Sequence, residues 1–308
     1  MLFSQLPHAT AQTAQNFTKL RGVMTALAAI HAPLLQYLHF FEFSGPTAAP
    51  RKNSNASGGT TRAAGGDYSE NQVTPSYDSL TPQVYGDICQ TDQIYQQQAA
   101  RELADLRTED LLAFLPDFFA RFQYALLKYE ETLGTSQAPQ WDGILKKIPT
   151  ARKESLSLAI TSEANAMQLV YEMIMPACTE IGNPAFVMMD SLLLARLSRY
   201  KSTNISFGTS SIGTMLANIG GVPIVLSGTN GLGDGATKVF PWAAGTATKV
   251  LVASTLERAD LTCATWVGFD LKDQGLTGTS YKTLIEGGFA PGILRNKAVK
   301  LIEDIQYS

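Results

Sequence analysis

The alternation of hydrophobic and polar positions is most regular between residues 162 and 227, where it predicts two helices and two buried strands. Gly182 is placed to end the first helix. The runs Phe186–Met189 and Val222–Leu226 are typical of strands covered on both faces, and Pro223 places the second run at a sheet edge or a strand start. The apolar face of the first helix is formed by Ala166, Leu169, Val170, Met173, Ile174 and Ala177.

The second of these helices has charged residues of opposite sign at its two ends. Asp190 is a natural N-cap residue, and Arg196, Arg199 and Lys201 crowd the other end. An acid at the start and bases at the end are what the helix dipole favours. The unit is therefore predicted to be a sheet with helices packed on it, and it contains no recognisable catalytic set.

A longer helix is predicted between Asp110 and Leu133. At ~1.5 Å per residue it would span about 35 Å, which is long for a compact domain. Gly134 is placed to end it, and Asp117 and Arg121 would form an i,i+4 ion pair on its polar side. Its continuous apolar stripe is formed by Leu111, Leu115, Phe118, Phe122, Leu126, Tyr129 and Leu133.

Residues 44–82 differ in kind from the rest of the chain, because large aliphatic residues are almost missing from them. Such a segment cannot bury enough apolar surface to fold alone. One explanation is a disordered insertion. The other is a long hairpin that lies across another subunit and shares its core. The charges in this segment nearly balance, which suits salt bridges more than polyanion binding.

The remaining segments give shorter signals. Residues 22–43 are predicted to form one or two helices, and another helix is predicted to begin after a Thr91 cap. Residues 250–253 are predicted to be a strand. Residues 281–286 and 299–301 are predicted to be strands that return to one common sheet beside the long helix.

Composition excludes several classes of protein. The chain has 308 residues, of which 45% are hydrophobic and 17% are charged, and its formal net charge is -3. A low charge content indicates that much of the surface contacts other protein, and a negative net charge argues against a dedicated nucleic-acid binder. Residues 23–43 are interrupted by polar residues and fall short of a membrane span, so we expect a soluble chain made in the cytoplasm.

The chain offers few residues for metal or nucleophilic chemistry. The only histidines, His8, His31 and His39, lie far from the central unit, which argues against a zinc site or a Ser-His-Asp triad. Cys89, Cys178 and Cys263 are widely spaced and form no CxxC pair, so they are expected to be buried free thiols. No catalytic, cofactor-binding or metal-binding residue is predicted.

A glycine-rich segment resembles a nucleotide-binding loop only in composition. A phosphate cradle needs a helix that begins directly after the glycines, usually with a Lys-Ser/Thr step. Here Lys238 is followed by Val239, and no helical pattern begins. A surface loop is the preferred interpretation, and a nucleotide-binding α/β enzyme remains a distant alternative. The glycines are Gly228, Gly231, Gly233 and Gly235.

Three stretches in a fixed order resemble the major capsid protein of tailed bacteriophages, whose Hong Kong 97 fold is shared with encapsulins. They are the turn GTSQAPQWDGIL at residues 134–145, the strand and helix NPAFVMMDSLLLARLSRYK at 183–201, and the strand GGVPIVLSG at 220–228. Each motif alone is loose, but their order and spacing match over about residues 30–308. The resemblance implies an α+β fold with an N-terminal arm, an extended E-loop, a P-domain with a long spine helix and a mixed helix-sheet A-domain.

The resemblance also implies a division of the chain and a set of contacts. The E-loop would overlap the neighbouring subunit, and the A-domain loops 202–213 and 228–238 would meet around fivefold and sixfold axes. The implied segments are the arm and leading helices at 1–43, the E-loop at 44–82, the P-domain at 84–150, the A-domain at 151–281 and the P-domain return strands at 282–308. The implied E-loop contact residues are Arg51, Lys52, Arg62, Asp67, Tyr68 and Glu70. The implied axial residues are Ser206, Gly208, Gly231, Gly233 and Asp234.

The function implied by the resemblance is structural. The chain would assemble into pentamers and hexamers of an icosahedral shell around double-stranded DNA, within the virion, after synthesis in the host cytoplasm. Its partners would be itself, a portal, scaffolding or decoration proteins, and DNA without sequence specificity, but no membrane. Because the arm is short, a separate scaffolding protein or cleavage before this numbering would take the place of a fused scaffold. An encapsulin-like compartment shell is the alternative.

Overall fold

Two β-sheets and one long helix account for most of the structure. The computed structural model describes residues 24–52, 76–101, 106–128, 141–200, 205–209, 215–241, 243, 246–255 and 260–306. The helices are α1 (24–31), α2 (Gln93–Arg101), α3 (Leu106–Lys128), α4 (Ile144–Lys147), α5 (Glu163–Gln168), α6 (Met175–Ile181) and α7 (Ser191–Arg199). A π-helical turn at Leu169–Ile174 joins α5 to α6, and short 3-10 turns lie at Pro33–Gln36, Thr150–Arg152 and Asn296–Ala298.

The first sheet has five strands centred on one long strand. They are β1 (His39–Glu42), β4 (Gln83–Asp92), β11 (Leu261–Thr265), β12 (Asp270–Thr277) and β13 (Ser280–Ile293). The strand β13 pairs antiparallel with β4, β11 and β12, while β1 pairs parallel with β11.

The second sheet has seven strands in the order β5-β14-β10-β6-β9-β8-β7. They are β5 (Lys153–Ser155), β6 (Phe186–Met189), β7 (Ile205–Thr209), β8 (Met215–Ile219), β9 (Val222–Leu226), β10 (Thr248–Ala253) and β14 (Val299–Ile305). The pairs β5–β14 and β6–β9 are parallel, and the other pairs are antiparallel. The sheet is therefore mixed.

The predicted stripe of α3 is buried. Leu115, Phe118, Phe122 and Leu126 are each at most 3% exposed. The Phe122 ring centroid lies 4.7 Å from that of Phe269 and 4.8 Å from that of Phe289, within the range of favourable aromatic pairs. The helix thus packs its apolar face on the inner face of the five-stranded sheet, and the sequence prediction is confirmed over the described part of the helix.

The seven-stranded sheet is covered on both faces. Within β6, Phe186 and Met188 belong to the core that contains α3, while Val187 and Met189 belong to the core that contains α5 and α6. Alternate residues of a strand point to opposite faces, so a strand covered on both sides is apolar throughout. All four residues of β6 are fully buried, as the unbroken apolar run predicts.

The predicted residues at the ends of two helices are confirmed. The carboxylate of Asp190 accepts a hydrogen bond of 3.0 Å from the backbone N–H of Leu192 and caps α7. Gly182 ends α6 with a φ of 88°, a left-handed conformation that glycine adopts without a steric cost. Pro223 stands near the start of β9, which is an interior strand rather than an edge strand.

Outside residues 162–227, three predictions about secondary structure are wrong. Residues 39–42 are a strand and not part of a helix, because β1 finds its partner in β11, more than 200 residues away along the chain. Thr91 lies in β4, and Asp92 accepts the hydrogen bond from the N–H of Ile94 that starts α2. The last two strands do not share a sheet, since β13 lies in the five-stranded sheet and β14 in the seven-stranded one.

The domain limits inferred from the resemblance stay a prediction. The five-stranded sheet takes strands from both sides of residue 281, because β11 and β12 precede that position and β13 spans it. Three connections run between the two sheets: from β4 to β5 through α2, α3 and α4, from β10 to β11, and from β13 to β14.

A charge placed in the α3 stripe is expected to abolish folding. Phe118→Asp removes an aromatic contact worth about 3–5 kcal/mol and also buries a carboxylate. The total stability of a domain is about 5–15 kcal/mol, so the variant should be insoluble or unfolded by circular dichroism.

The matched control for Phe118→Asp is Ala113→Asp, on the same helix but at an exposed position. This variant introduces the same charge without burial, so it should remain folded with an unfolding free energy within about 1 kcal/mol of the wild type. Normal folding of Phe118→Asp would refute the buried stripe.

Candidate assembly interface

The base of the polar hairpin is anchored on the five-stranded sheet. The short strands β2 (Arg51–Lys52) and β3 (Ser76–Tyr77) pair antiparallel, and Ala48 bridges Leu80 below them. The Leu80 side chain is 1% exposed and packs in a small core with Ala48. The chain therefore leaves the sheet past Ala48 and returns to it past Leu80, so both ends of the hairpin pass through one narrow neck.

Two of the six predicted E-loop contact residues lie within the described residues, and both are in β2. Arg51 is exposed, and Lys52 forms an ion pair of 3.4 Å with Asp78 across the neck. Tyr77, opposite Arg51, is 64% exposed. The neck thus presents an aromatic ring and a guanidinium group to solvent. The other four predicted residues, Arg62, Asp67, Tyr68 and Glu70, lie outside the described residues.

A cavity of 440 Å³ lies beside the neck of the hairpin. Lys52 and Asp78 line one side, and Trp141, Lys147 and Asn296 line other parts of it. The Lys147 ammonium donates a hydrogen bond of 2.6 Å to the carbonyl of Pro291, at the far end of β13. The walls therefore combine groups of both charges, and none of the described residues that line this cavity is His or Cys.

The glycine-rich loop at residues 228–238 lies on the outer side of α3. The Asp117 carboxylate accepts a hydrogen bond of 2.8 Å from the N–H of Leu232 and one of 2.6 Å from the Arg121 guanidinium. Lys238, at the other end of the loop, forms an ion pair of 3.0 Å with Asp190. The loop is thus held to α3 and to the start of α7, and Leu232 is 54% exposed.

Gln123 is a polar residue inside the apolar stripe of α3, and it connects three parts of the fold. It is 1% exposed. Its amide nitrogen donates to the carbonyls of Ser227 at 3.0 Å and Leu226 at 3.3 Å, and its amide oxygen accepts from the N–H of Leu34 at 3.0 Å. A Cβ on Gly228, whose φ is +73°, would lie 2.8 Å from this amide nitrogen. The end of β9 is therefore fitted closely to α3.

The predicted axial residues lie on two different elements. Ser206 and Gly208 belong to β7 and not to a loop, which corrects the prediction of a loop for residues 205–209; residues 202–204 and 210–213 lie outside the described residues. This strand is the edge of the seven-stranded sheet, and Ser206 is exposed. Gly231, Gly233 and Asp234 lie in the loop on α3. Contact of either group with a symmetry axis stays a prediction.

The geometry of the glycine-rich loop does not support phosphate binding. The hydroxyl of Thr229 donates to the carbonyl of Gly231, and Asn230 accepts from the N–H of Thr237, so the loop uses its own polar groups. The ammonium of Lys238 is committed to Asp190. Over the described residues 239–241 and 246–253 the chain is not helical, so no helix N-terminus follows the glycines.

The three cysteines are buried free thiols, as predicted. Burial raises the pKa of Cys263 to about 12 and that of Cys178 to about 11. Burial also raises the pKa of Cys89. A thiol must ionise to act as a nucleophile or a metal ligand, so these groups are unreactive near neutral pH.

The described residues also bear on metal binding and on membrane insertion. In the described part of the chain, no group of three or more His, Cys, Asp or Glu side chains is placed to hold a metal ion. Of the helices described, none combines the length and the apolar character needed to cross a membrane.

Comparison by sequence finds no relatives: neither a protein-family model nor any curated protein matches the chain. Comparison by structure finds shell proteins. The chain is similar to that of the holo-SrpI encapsulin complex from Synechococcus elongatus PCC 7942, with a TM-score of 0.62 at 13% identity over 89% of each chain.

Two other structures have the same arrangement. One is the satellite phage P4 procapsid including the size determination (Sid) protein, with a TM-score of 0.54, 14% identity, and coverage of 94% of this chain and 99% of that one. The other is the virus-like particle from Pyrococcus furiosus, with a TM-score of 0.51, 13% identity, and coverage of 92% and 98%. The chain thus has the Hong Kong 97 capsid fold, an α+β fold, as the sequence resemblance implied. At these identities the likeness establishes the fold alone.

Sequence reasoning missed Gln123. The signal was present, because a polar residue directly after Phe122 falls within the apolar face of the helix, where it must find buried partners. The sequence did not indicate which partners these were, since they lie about 90 and 104 residues away along the chain.

Removal of the Gln123 amide should destabilise the subunit. Gln123→Met keeps the volume of the side chain but leaves the N–H of Leu34 and the carbonyl of Ser227 without these partners. Each buried polar group left unpaired costs about 1–3 kcal/mol, so we expect a loss of about 2–4 kcal/mol in urea unfolding of unassembled subunits.

Ser227→Ala is the control for Gln123→Met. The Ser227 hydroxyl is buried and has no hydrogen-bond partner among the described residues. Its removal should leave the unfolding free energy unchanged or slightly higher. An unchanged unfolding free energy in Gln123→Met would show that Gln123 contributes only packing, because Met keeps the volume of the side chain.

Proposed function

We propose that the chain is the major capsid protein of a tailed bacteriophage. It assembles into pentamers and hexamers of an icosahedral shell that encloses double-stranded DNA. The observation that carries the proposal is a polar hairpin anchored at its neck on a Hong Kong 97 fold. The hairpin sequence has almost no apolar residues for a core of its own, so its stable position is on another subunit.

The proposed mechanism is geometric rather than chemical. Heterologous contacts between identical subunits close into rings of five and six, and the hairpin at 44–82 overlaps the next subunit in the ring. Arg51 and Tyr77, exposed at the neck, are the first residues placed to meet that neighbour. We also propose that Arg62, Asp67, Tyr68 and Glu70 continue this contact and that β7 and the loop at 228–238 approach the ring axes.

The division of the chain follows from the same proposal. The arm and leading helix occupy residues 1–43, and the E-loop occupies 44–82. The P-domain is built on α3 and the five-stranded sheet, and the A-domain on the seven-stranded sheet. In this proposal β11 and β12 go with the P-domain, because they pair within its sheet.

The proposed partners are other copies of the chain, a portal, scaffolding or decoration proteins, and packaged DNA. With a formal net charge of -3, the chain would bind DNA weakly, without sequence specificity and only at low salt. The proposed location is the virion, reached after assembly in the host cytoplasm. No catalytic step and no cofactor is part of the proposal.

An encapsulin-like compartment shell is the second candidate, favoured by the similarity to the SrpI encapsulin complex. The two candidates differ in what the shell encloses. Shells purified after infection or induction would contain double-stranded DNA in the first case and a protein cargo in the second. The ratio of absorbance at 260 nm to that at 280 nm, followed by nuclease digestion, separates them.

The proposal predicts that purified protein assembles. The chain should elute from size-exclusion chromatography as rings of subunits or as closed particles, which electron microscopy would show as shells of defined diameter. The experiment includes co-expression with candidate scaffolding proteins. A subunit of 33.3 kDa that stays monomeric under every one of these conditions would contradict the proposal.

Deletion of residues 56–66 separates the fold of the subunit from its assembly. This stretch contributes almost no large apolar residues, so circular dichroism and thermal unfolding of the subunit should be unchanged. Shells should be fewer or should dissociate at lower denaturant concentration. If the deletion unfolds the isolated subunit, the assignment of the hairpin to a neighbour is wrong.

A further inference from the structure

Two of the three connections between the two sheets run side by side. One leads from β10 to β11, and its described residues are 254, 255 and 260; the other leads from β13 to β14 through residues 294–298. The N–H of Ser254 donates to the carbonyl of Ala298 at 2.8 Å, and the N–H of Leu294 donates to the carbonyl of Asp260 at 2.9 Å. The two connections are thus cross-linked by backbone hydrogen bonds.

Asp260 adds side-chain bonds at this joint. Its carboxylate accepts two hydrogen bonds from the Arg295 guanidinium, one on each oxygen: from Nε at 2.6 Å and from Nη2 at 3.0 Å. The hydroxyl of Ser254 donates to the same carboxylate at 2.5 Å. The Asp260 side chain is 1% exposed, while that of Arg295 is 29% exposed. One buried carboxylate therefore holds both connections.

The two sheets also share an apolar core. The core that contains α3 includes Ala253 and Val299 from the seven-stranded sheet and Leu261 and Ile293 from the five-stranded one. Hydrophobic burial is non-directional, so it holds the sheets together without selecting one angle between them. A bidentate Arg–carboxylate pair has a planar geometry and does select an angle.

We propose that Asp260 is the positioning residue that sets the angle between the two sheets and, through it, the curvature of the shell. The inference rests on the proposed function, because only an assembled shell converts an angle within the subunit into a diameter. A rotation of a few degrees at the joint displaces the outer edges of both sheets, where neighbouring subunits would meet. In some proteins, buried ion pairs serve to specify one geometry.

The test uses Asp260→Asn and Arg295→Lys in the full chain. Asp260→Asn removes the charge at nearly constant volume. Arg295→Lys keeps the positive charge but replaces the planar, two-point contact with a single ammonium group. The control is Glu303→Gln, which removes another carboxylate with a lysine partner, Lys249, inside the seven-stranded sheet and away from the joint.

The first readout is the distribution of shell diameters by cryo-electron microscopy. The wild type and Glu303→Gln should each form shells of one diameter, whereas Asp260→Asn and Arg295→Lys should form shells of several diameters or incomplete shells. If Asp260→Asn does not fold, Arg295→Lys decides the outcome. Shells of wild-type diameter and uniformity from Arg295→Lys would overturn the proposal.

The second readout does not need assembly. Hydrogen exchange of the amides of Ser254 and Leu294, measured in unassembled subunits, should be at least about tenfold faster in Arg295→Lys than in the wild type and unchanged in Glu303→Gln. Equal exchange in all three proteins would also overturn the role of Asp260. If the wild type forms no shells but the exchange difference is present, the proposed function fails while the joint is confirmed.

Discussion

Burial of the apolar stripe of α3 is the constraint on which the rest of the structure depends. Burial of each large side chain of the stripe stabilises the fold by roughly 1.5–3 kcal/mol, and the stripe contains several such residues. The Phe122 ring contacts the ring of Phe289 in β13 and that of Phe269, which directly precedes β12. The five-stranded sheet has its inner face covered because this helix is present, and the same core extends to one face of the seven-stranded sheet.

The polar contacts of α3 determine where the loops lie. Gln123 holds the end of β9 and the turn at Leu34 against the helix, and Asp117 holds the glycine-rich loop on its outer side. Hydrophobic burial brings the helix and sheets together, while these directional bonds fix which loop lies on which side. A loop that first resembles a nucleotide site is thereby explained as a structural contact of the helix.

The sequence predicted features that depend on neighbours along the chain. The α3 stripe, the buried strand β6 and the Asp190 cap are all set by residues a few positions apart, and all were found where expected. The prediction failed where pairing is distant. The sequence predicts helix for the residues of β1, because this short apolar run has no alternation of apolar and polar residues. Its partner β11 lies more than 200 residues away along the chain. The strand β4 carries polar and exposed apolar residues in an irregular order, so its sequence does not predict a strand. Its pairing with β13 establishes it.

The candidate assembly surface was predictable in outline and not in detail. A segment without large aliphatic residues indicates that it needs another surface, and this inference requires composition only. The anchor at Leu80, the joint at Asp260 and the contacts of Gln123 all rest on residues far apart in the chain, so the sequence alone did not reveal them. A cryo-electron microscopy reconstruction of assembled particles tests the central claim most directly. The account predicts closed shells in which residues 44–82 lie on the neighbouring subunit of each ring. Particles in which this hairpin folds back on its own subunit, or a protein that forms no closed particle, would contradict it.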